Sequence, residues 1–222
     1  MKRVQRPALE PDGIVRTALD VLDEVGLDEL SMRRLADALG VQNPALYWHV
    51  RNKQELLDRM AHVLLTEGFA LAEAEGPEPR SWKKKLERFA RALRDALRSR
   101  KDGARLVAAA DMSQPDSAFL VRIEALVPAL VADGFRTVDA FGSVLTLIHY
   151  TIGATLEEQS DPRGGEPAIP SEGISPAFAA VKAAMEREMA GRSRVDARFE
   201  LGISLIIDGL QARRVRAKSD AR

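Results

Sequence analysis

The sequence predicts an all-α protein of nine to ten helices, with a three-helix headpiece at the N-terminus and a larger helical body behind it. Three observations lead to this prediction. Apolar residues recur at helical spacing along almost all of the 222 residues, no run of five or more residues alternates as a half-buried strand would, and Gly or Pro stands near the predicted helix ends. The chain has no cysteine, which excludes disulfides, thiolate metal ligands and cysteine nucleophiles.

The predicted headpiece begins with three helices. The first covers residues 11–25, because a proline suits its first turn and Gly26 suits a left-handed stop. The second follows Ser31, a favourable N-cap, and ends before Gly40. The third begins near Pro44. These three helices form the core of a predicted domain.

Polar breaks rich in glycine and proline divide the rest of the chain into further predicted helices. These span residue 53 to the low seventies, about 82–101, 104–110, 115–134, 137–159, 176–190 and 195–215. Pro128 lies inside one of them and predicts a kink. The stretch 160–173 reads as a long loop. We therefore predict two domains, a headpiece of residues 1–58 and a body of residues 59–222.

Residues 31–53 have the pattern of a helix-turn-helix. Such a motif needs a small residue where its helices touch, here Ala36, a glycine at the turn, here Gly40, and an apolar anchor after it, here Val41. It also needs apolar residues on the buried sides of both helices, and these are Leu35, Leu39, Leu46 and Val50. All of these residues occur in the correct phase, which predicts DNA binding.

The second helix of such a motif presents its first residues to base edges in the major groove. Asn43 can pair with adenine, and the methyl group of Ala45 can touch that of thymine. The Tyr47 hydroxyl, the Trp48 indole and the His49 imidazole can reach phosphates. Lys53 adds a positive charge at a helix N-terminus. The predicted DNA-binding residues are Arg33, Gln42, Asn43, Pro44, Ala45, Tyr47, Trp48, His49 and Lys53.

The distribution of charge favours this prediction although the totals do not, since 33 basic and 33 acidic residues give a net charge of zero. Residues 40–53 include no acid, whereas residues 20–29 include five. The alternative is that residues 46–50, LYWHV, form only a packed aromatic cluster. Tyr47 and Trp48 are adjacent, however, and one helix cannot easily bury both.

Residues 30–58, LSMRRLADALGVQNPALYWHVRNKQELLD, resemble the DNA-binding signature of the tetracycline repressor (TetR) family of transcriptional regulators. The resemblance continues into the body, where HYTIGATLEEQ and ELGISLIIDGL are similar to segments of the tetracycline repressors' ligand-binding domain. It implies a homodimeric repressor that reads a palindromic operator in double-stranded DNA and is released by a small-molecule effector. An activator, or a DNA-binding regulator without an inducer, is the alternative.

The same resemblance implies where the effector binds. The implied ligand-binding residues are Phe69, Phe89, Leu93, Val107, Ala110, Asp111, His149 and Glu157. Val107 stands where the tetracycline repressors have a histidine that holds the magnesium of a magnesium–drug chelate, and valine cannot ligate a metal. We therefore expect a largely hydrophobic effector, with no metal and no cofactor. A core histidine is the alternative role for His149.

The resemblance also implies that two long helices of each subunit form a four-helix bundle at the dimer interface. The apolar residues of those helices are Phe141, Val144, Leu145, Leu147, Ile148, Leu201, Ile203, Ile206, Ile207 and Leu210. Burial inside one chain is the other use of such a face, and we expect each helix to serve both purposes.

An enzyme is the rival class of protein. The three histidines, at 49, 62 and 149, form no HxxxH or HExxH pair, and neither GxSxG nor a P-loop occurs. We therefore expect no catalysis. The chain has neither a secretory signal nor an apolar stretch of about 20 residues that could span a bilayer, so we expect a cytoplasmic protein without membrane contact.

Overall fold

The structure, a computed structural model, describes residues 10–113, 117–160, 173–188 and 193–220, without the side chains of residues 186 and 215–220. Within these residues the chain is all helical, as predicted, with ten helices and no strand. The helices are α1 Pro11–Val25, α2 Met32–Ala38, α3 Asn43–Tyr47, α4 Lys53–Ala74, α5 Trp82–Arg98, α6 Gly103–Ala109, α7 Ala118–Ala132, α8 Thr137–Ser160, α9 Pro176–Glu188 and α10 Arg194–Asp220.

The chain divides into two compact units. The first is built from residues within 1–78 and 91–125, and the second from residues within 79–90 and 126–222. The predicted boundary after residue 58 does not coincide with the division between these two units, and it stays a prediction.

The helix ends in the first unit follow local chemistry. Gly26 has φ +81°, the left-handed region that favours glycine, and its N–H donates to the Leu22 carbonyl at 2.8 Å. The Ser31 hydroxyl accepts a hydrogen bond from the Arg34 N–H at 3.2 Å and caps α2. The Asn52 side chain caps α4 in the same way, accepting from the Glu55 N–H at 2.8 Å.

The core of the first unit forms around α1 and α4. Helix α1 packs on α2 and α4, α2 packs on α3, and α4 packs on α6. The inner face of α1 is fully enclosed at Ile14, Ala18 and Leu22. Helices α4 and α5 come so close that a Cβ added to Gly68 would lie 2.3 Å from the Ala96 Cβ.

The second unit is organised by the packing of α8 on α10. The Tyr150 ring stacks on Phe199 with ring centroids 5.7 Å apart, and its hydroxyl lies 3.2 Å from the carbonyl oxygens of Arg198 and Phe199. A Cβ on Gly202 would lie 2.1 Å from the Tyr150 hydroxyl, so the absence of a side chain there makes room for the ring. The edge of Trp82 meets Phe135 at a centroid distance of 4.8 Å.

Several helix ends differ from the predicted ones. Helix α5 ends at Arg98 rather than near residue 101, and α10 continues to Asp220 rather than ending at Val215. Helix α4 ends at Ala74, in the low seventies as predicted. Pro128 lies inside α7, as predicted. The predicted helix start at Pro115 and residues 161–172 of the predicted loop lie outside the described residues.

Candidate DNA-binding and ligand-binding sites

The helix-turn-helix is present with the predicted phase. Leu35, Leu46 and Val50 are fully buried, and Ala36 lies at the contact between α2 and α3 with only 1% of its surface exposed. Gly40 has φ +65°, which an L side chain would strain, so the turn requires glycine. Leu39 was predicted to be buried, but it is only half-buried. It lies at the C-cap of α2, where the helix ends.

The surface that α3 presents contains the predicted DNA-binding side chains. Tyr47 is 45% exposed and Trp48 is 89% exposed, which contradicts the alternative of a purely packed aromatic cluster. Arg33, Gln42, Pro44 and Lys53 are exposed, whereas Asn43, Ala45 and His49 are half-buried. An indole so open to water is costly in a monomer and is typical of an interaction surface.

Asn43 occupies the first turn of α3. Its Oδ1 atom is buried and has no hydrogen-bond partner among the described residues. An unsatisfied buried acceptor costs about 1–3 kcal/mol, so this amide gains from a rotation that offers its oxygen to an external donor. In the present rotamer the oxygen faces the chain, and a paired contact with adenine requires that rotation.

One exposed cation between α3 and α4, Arg51, was not predicted from the sequence. Arg51 is 85% exposed and lies between Trp48 and the first residue of α4. Its backbone N–H donates to Glu55 Oε2 at 2.8 Å, and its Nε donates to the same oxygen at 3.1 Å. The spacing of Arg51 and Glu55, four residues apart, was the available signal.

Three of the five acids of residues 20–29 have a structural use that the sequence did not reveal. Arg100 donates to Asp20 at 3.2 Å and to Asp23 at 2.6 Å, and Arg105 pairs with Asp28 at 2.7 Å. These pairs join α1 and the turn after it to the segment around the start of α6. Asp20, Asp23 and Asp28 therefore neutralise cations at this junction, whereas Glu29 pairs with Arg34 of α2 at 2.6 Å.

The charges in these pairs shift in the expected directions. The hydrogen bond from the Arg105 side chain is the main cause that lowers the pKa of Asp28, and the charge of Arg105 adds to it. The Asp23 side chain is the main cause that raises the pKa of Arg100, and Asp28 does the same for the pKa of Arg105. Each shift stabilises the charged form.

Asp102 closes the same junction from the other side. It has φ +56°, the left-handed region, although it is not a glycine. Its Oδ2 accepts the Leu27 N–H at 2.8 Å, which ties the turn after α1 to the start of α6. The predicted break at Asp102 and Gly103 is thus a fixed corner, where a Cβ on Gly103 would lie 2.1 Å from the Leu97 carbonyl oxygen.

The ligand-binding residues predicted in the first unit are mostly buried. Phe69, Leu93 and Val107 are enclosed, Ala110 is half-buried and Asp111 is exposed. The Asp111 carboxylate accepts from the Ser113 N–H at 3.0 Å and from its hydroxyl at 2.6 Å, so this side chain orders its own turn. Their common role in binding a ligand stays a prediction.

Phe69 has a partner that the sequence did not indicate. The Arg122 guanidinium of α7 lies over the Phe69 ring, 4.7 Å from its centroid, and pairs with Glu73 of α4. A cation above an aromatic face is favourable by about 0.5–2 kcal/mol. Arg122 therefore covers one face of the Phe69 ring.

The predicted residues of the second unit differ in exposure. Phe89 is buried, whereas His149 and Glu157 are exposed in the single chain. The exposure of His149 contradicts its alternative role as a core histidine. Glu157 lies 3.4 Å from Arg198 in an exposed ion pair.

A cleft of about 690 Å³ lies in the first unit between the start of α1, the first half of α4 and the residues Asp111, Met112 and Ser117. Its lining includes Arg51, Glu55, Arg59 and His62 and is more polar than apolar. Of the predicted ligand-binding residues only Asp111 lines it. The cleft therefore does not match the apolar site that we expected.

Within the described part of the chain, no group of three His, Cys, Asp or Glu side chains could hold a metal ion. Val107, at the position of a metal-ligating histidine in the resemblance, is buried and offers no ligand atom. That no magnesium-chelated drug binds at these residues stays a prediction. None of the described helices combines the length and apolar character needed to cross a membrane.

Comparison with known proteins gives two family matches that together cover most of the chain. Residues 14–60 match the family described as bacterial regulatory proteins, tetR family, and residues 75–214 match the tetracyclin repressor-like C-terminal domain. The tetracycline repressor protein class A from transposon 1721 of Escherichia coli is 39% identical over 210 residues, which is 93% of each chain.

Two solved structures are similar over nearly their whole length. A TetR variant from Acinetobacter baumannii AYE, in complex with minocycline, is 31% identical with a TM-score of 0.70 and covers 93% of this chain and 98% of its own. BioQ with its natural double-stranded DNA operator is 32% identical with a TM-score of 0.67 and covers 92% and 99%.

Proposed function

Because this chain belongs to the tetR family of bacterial regulatory proteins, we propose that it is a ligand-responsive transcriptional repressor that binds operator DNA as a homodimer. The observation that supports this most is the α3 surface. Trp48 stands there 89% exposed beside Tyr47, in a stretch of the chain without acidic residues. Such a surface suits a major groove lined by phosphates.

The homodimer is supported by the exposed faces of α8 and α10. Each helix buries one side in its own chain, through residues such as Val144, Leu147 and Ile207. On the other side Phe141 is 46% exposed and Leu201 is 59% exposed. Leu205, which was not among the residues predicted for this face, is 64% exposed. Apolar faces of this kind form four-helix bundles between subunits.

We propose a largely hydrophobic effector that releases the DNA. The buried apolar residues Leu93 and Val107 support this choice, and the first unit contains a path for coupling. The Gln54 side chain donates to the Ala109 carbonyl at 2.9 Å, and Asp58 accepts from the Asp111 N–H at 2.8 Å. A ligand that displaces the end of α6 thus acts on the start of α4, next to the helix-turn-helix.

Regulation without a small molecule is the second candidate. Ligand linkage separates the two, because an effector raises the melting temperature and a protein without an effector site does not respond. We also propose that the chain is not an enzyme and acts in the cytoplasm, since its relatives are regulators.

The function is tested by selecting genomic DNA fragments with the purified protein at physiological salt and sequencing those retained. We expect one short palindrome, bound with a salt dependence that Lys53→Ala reduces by about one unit of slope without changing the sequence. Retention of no common sequence by a folded, dimeric sample would contradict the proposal.

A further inference from the structure

We propose that Arg51 is a phosphate-contacting residue of the DNA-binding surface and that Glu55 is its positioning residue. The inference rests on the proposed DNA binding and adds to it a residue pair that the resemblance did not assign. It concerns the junction between α3 and α4, where the backbone and side chain of Arg51 are both held by one carboxylate oxygen.

The hydrogen bond to Glu55 uses only Nε of Arg51 and leaves the two terminal amino groups of the guanidinium available to a phosphate. Only Nε of Arg51 bonds to Glu55, at 3.1 Å, and its two terminal amino groups have no partner among the described residues. The side chain is 85% exposed. A planar guanidinium with two free amino groups is suited to grip a phosphate, and an arginine held in advance loses less rotamer freedom when it does so.

Glu55 is itself fixed. Its other oxygen, Oε1, accepts from Arg59 at 2.6 Å, one turn further along α4, and its side chain is only 19% exposed. Partial burial alone would raise the pKa of Glu55, but the hydrogen bonds from Arg51 and Arg59 outweigh it and lower that pKa. The carboxylate is therefore ionised at neutral pH and orients Arg51 throughout the working range.

The net charge of Arg51, Glu55 and Arg59 together is positive and therefore favours the approach of DNA. One carboxylate is shared by two guanidinium groups, which leaves one net positive charge next to Lys53 and the N-terminus of α4. Glu55 lies on the inner side of this group and Arg51 on the outer side, as their exposures indicate. The acid therefore costs little repulsion and gives Arg51 a defined direction.

Whether Glu55→Ala raises or lowers the affinity for DNA distinguishes a positioning role of Glu55 from an effect of net charge alone. Removing an acid near DNA should strengthen binding if only net charge matters. If Glu55 positions Arg51, Glu55→Ala should weaken binding instead. The matched control is Glu67→Ala, which removes an equally charged residue from the exposed pair with Arg16 at 2.9 Å on the far part of α4.

The experiment measures binding of the full chain to a labelled 30-base-pair duplex of scrambled sequence between about 50 and 200 mM salt. Each lost phosphate contact lowers the salt slope by about 0.9, so Arg51→Gln should shrink the fall in affinity over this range by about 3.5-fold. Arg16→Gln removes the same charge from the headpiece and should leave the slope within error of the wild type.

The proposal predicts that Glu55→Ala weakens binding, that Glu55→Gln has a smaller effect because its oxygen still accepts, and that Glu55→Ala adds nothing to Arg51→Gln. An unchanged slope in Arg51→Gln, or stronger binding by Glu55→Ala, overturns it while the proposed function stands. A wild type that binds neither this duplex nor any selected genomic fragment overturns both. Circular dichroism melting identifies a misfolded variant. If Glu55→Ala is misfolded, the DNA affinity of Glu55→Gln, which should be lower than that of the wild type, tests the proposal in its place.

Discussion

At the scale of single residues, the α3 surface combines side chains that are already free with one that must move. Tyr47 and Trp48 are open to solvent, whereas the Asn43 oxygen is buried without a partner. Within the described residues, the protein itself thus supplies no donor to this oxygen, at the position predicted to read a base. This arrangement is expected where an external donor completes the hydrogen bonding.

Asn43→Ala tests this reading directly. We expect a loss of about 1–3 kcal/mol on the selected operator, confined to one base-pair position of each half-site, because the alanine cannot discriminate adenine there. Competition binding against operators changed at each position measures the effect. Preference unchanged at every position would remove Asn43 from the base contacts.

The residue at position 107 leads to a prediction about one effector. Magnesium with tetracycline is expected not to release the operator, because Val107 is buried and has no atom that binds a metal. Fluorescence anisotropy of a bound operator duplex, titrated with the drug at constant magnesium, measures release. Release at micromolar drug would show that the assignment of position 107 is wrong.

At the scale of elements, the first unit depends on close helix contact at one glycine. Gly68 of α4 faces Ala96 of α5, and an added Cβ would lie 2.3 Å from the Ala96 Cβ and 2.9 Å from its Cα. Gly13 of α1 also lies in a helix, but nothing comes closer than 4.0 Å to an added Cβ there. The two glycines therefore form a matched pair.

Gly68→Ala should destabilise the protein by about 1–3 kcal/mol through overpacking. Gly13→Ala should instead stabilise it by about 0.4–1 kcal/mol, because alanine loses less backbone entropy in a helix. Urea unfolding of both variants measures the difference. Equal effects of the two substitutions would mean that α4 and α5 are not in close contact at Gly68.

The junction between α1 and α6 predicts a dependence on pH. The pKa of Asp28 is lowered in the folded state by Arg105, so the stabilisation is present above the unfolded-state pKa and is lost as the pH falls through the folded value. Asp28→Asn should therefore melt below the wild type at neutral pH and converge with it in acid. A difference that stays constant into acid would exclude the ion pair as its cause.

The elements also show what the sequence could predict. Capping residues and periodic apolar residues act within a few positions, and the ends of α1 at Pro11 and Gly26 were predicted on that basis. The pairs of Arg100 and Arg105 join residues almost eighty positions apart, and many exposed acids could have served equally well. Such pairs follow from tertiary packing, which periodicity does not specify.

At the scale of the whole molecule, the exposure of the α3 residues was predictable from the sequence, whereas the grouping of the predicted ligand-binding residues was not. The turn at Gly40 and the buried side of α3 leave only one surface for Trp48 and its neighbours. No comparable rule connects Phe69, Val107 and His149, whose grouping came from the family resemblance alone. A cavity for a small molecule depends on how whole helices pack, and each residue in it satisfies core chemistry as well.

Symmetry is the central claim at this scale, because a homodimer with two α3 surfaces requires an operator with two matching half-sites. The most direct test is sedimentation of the full chain on the selected palindrome and on a duplex that contains only one half-site. We expect two chains on the palindrome and a much weaker complex on the half-site. One chain per palindrome, or equal affinity for both duplexes, would contradict the account.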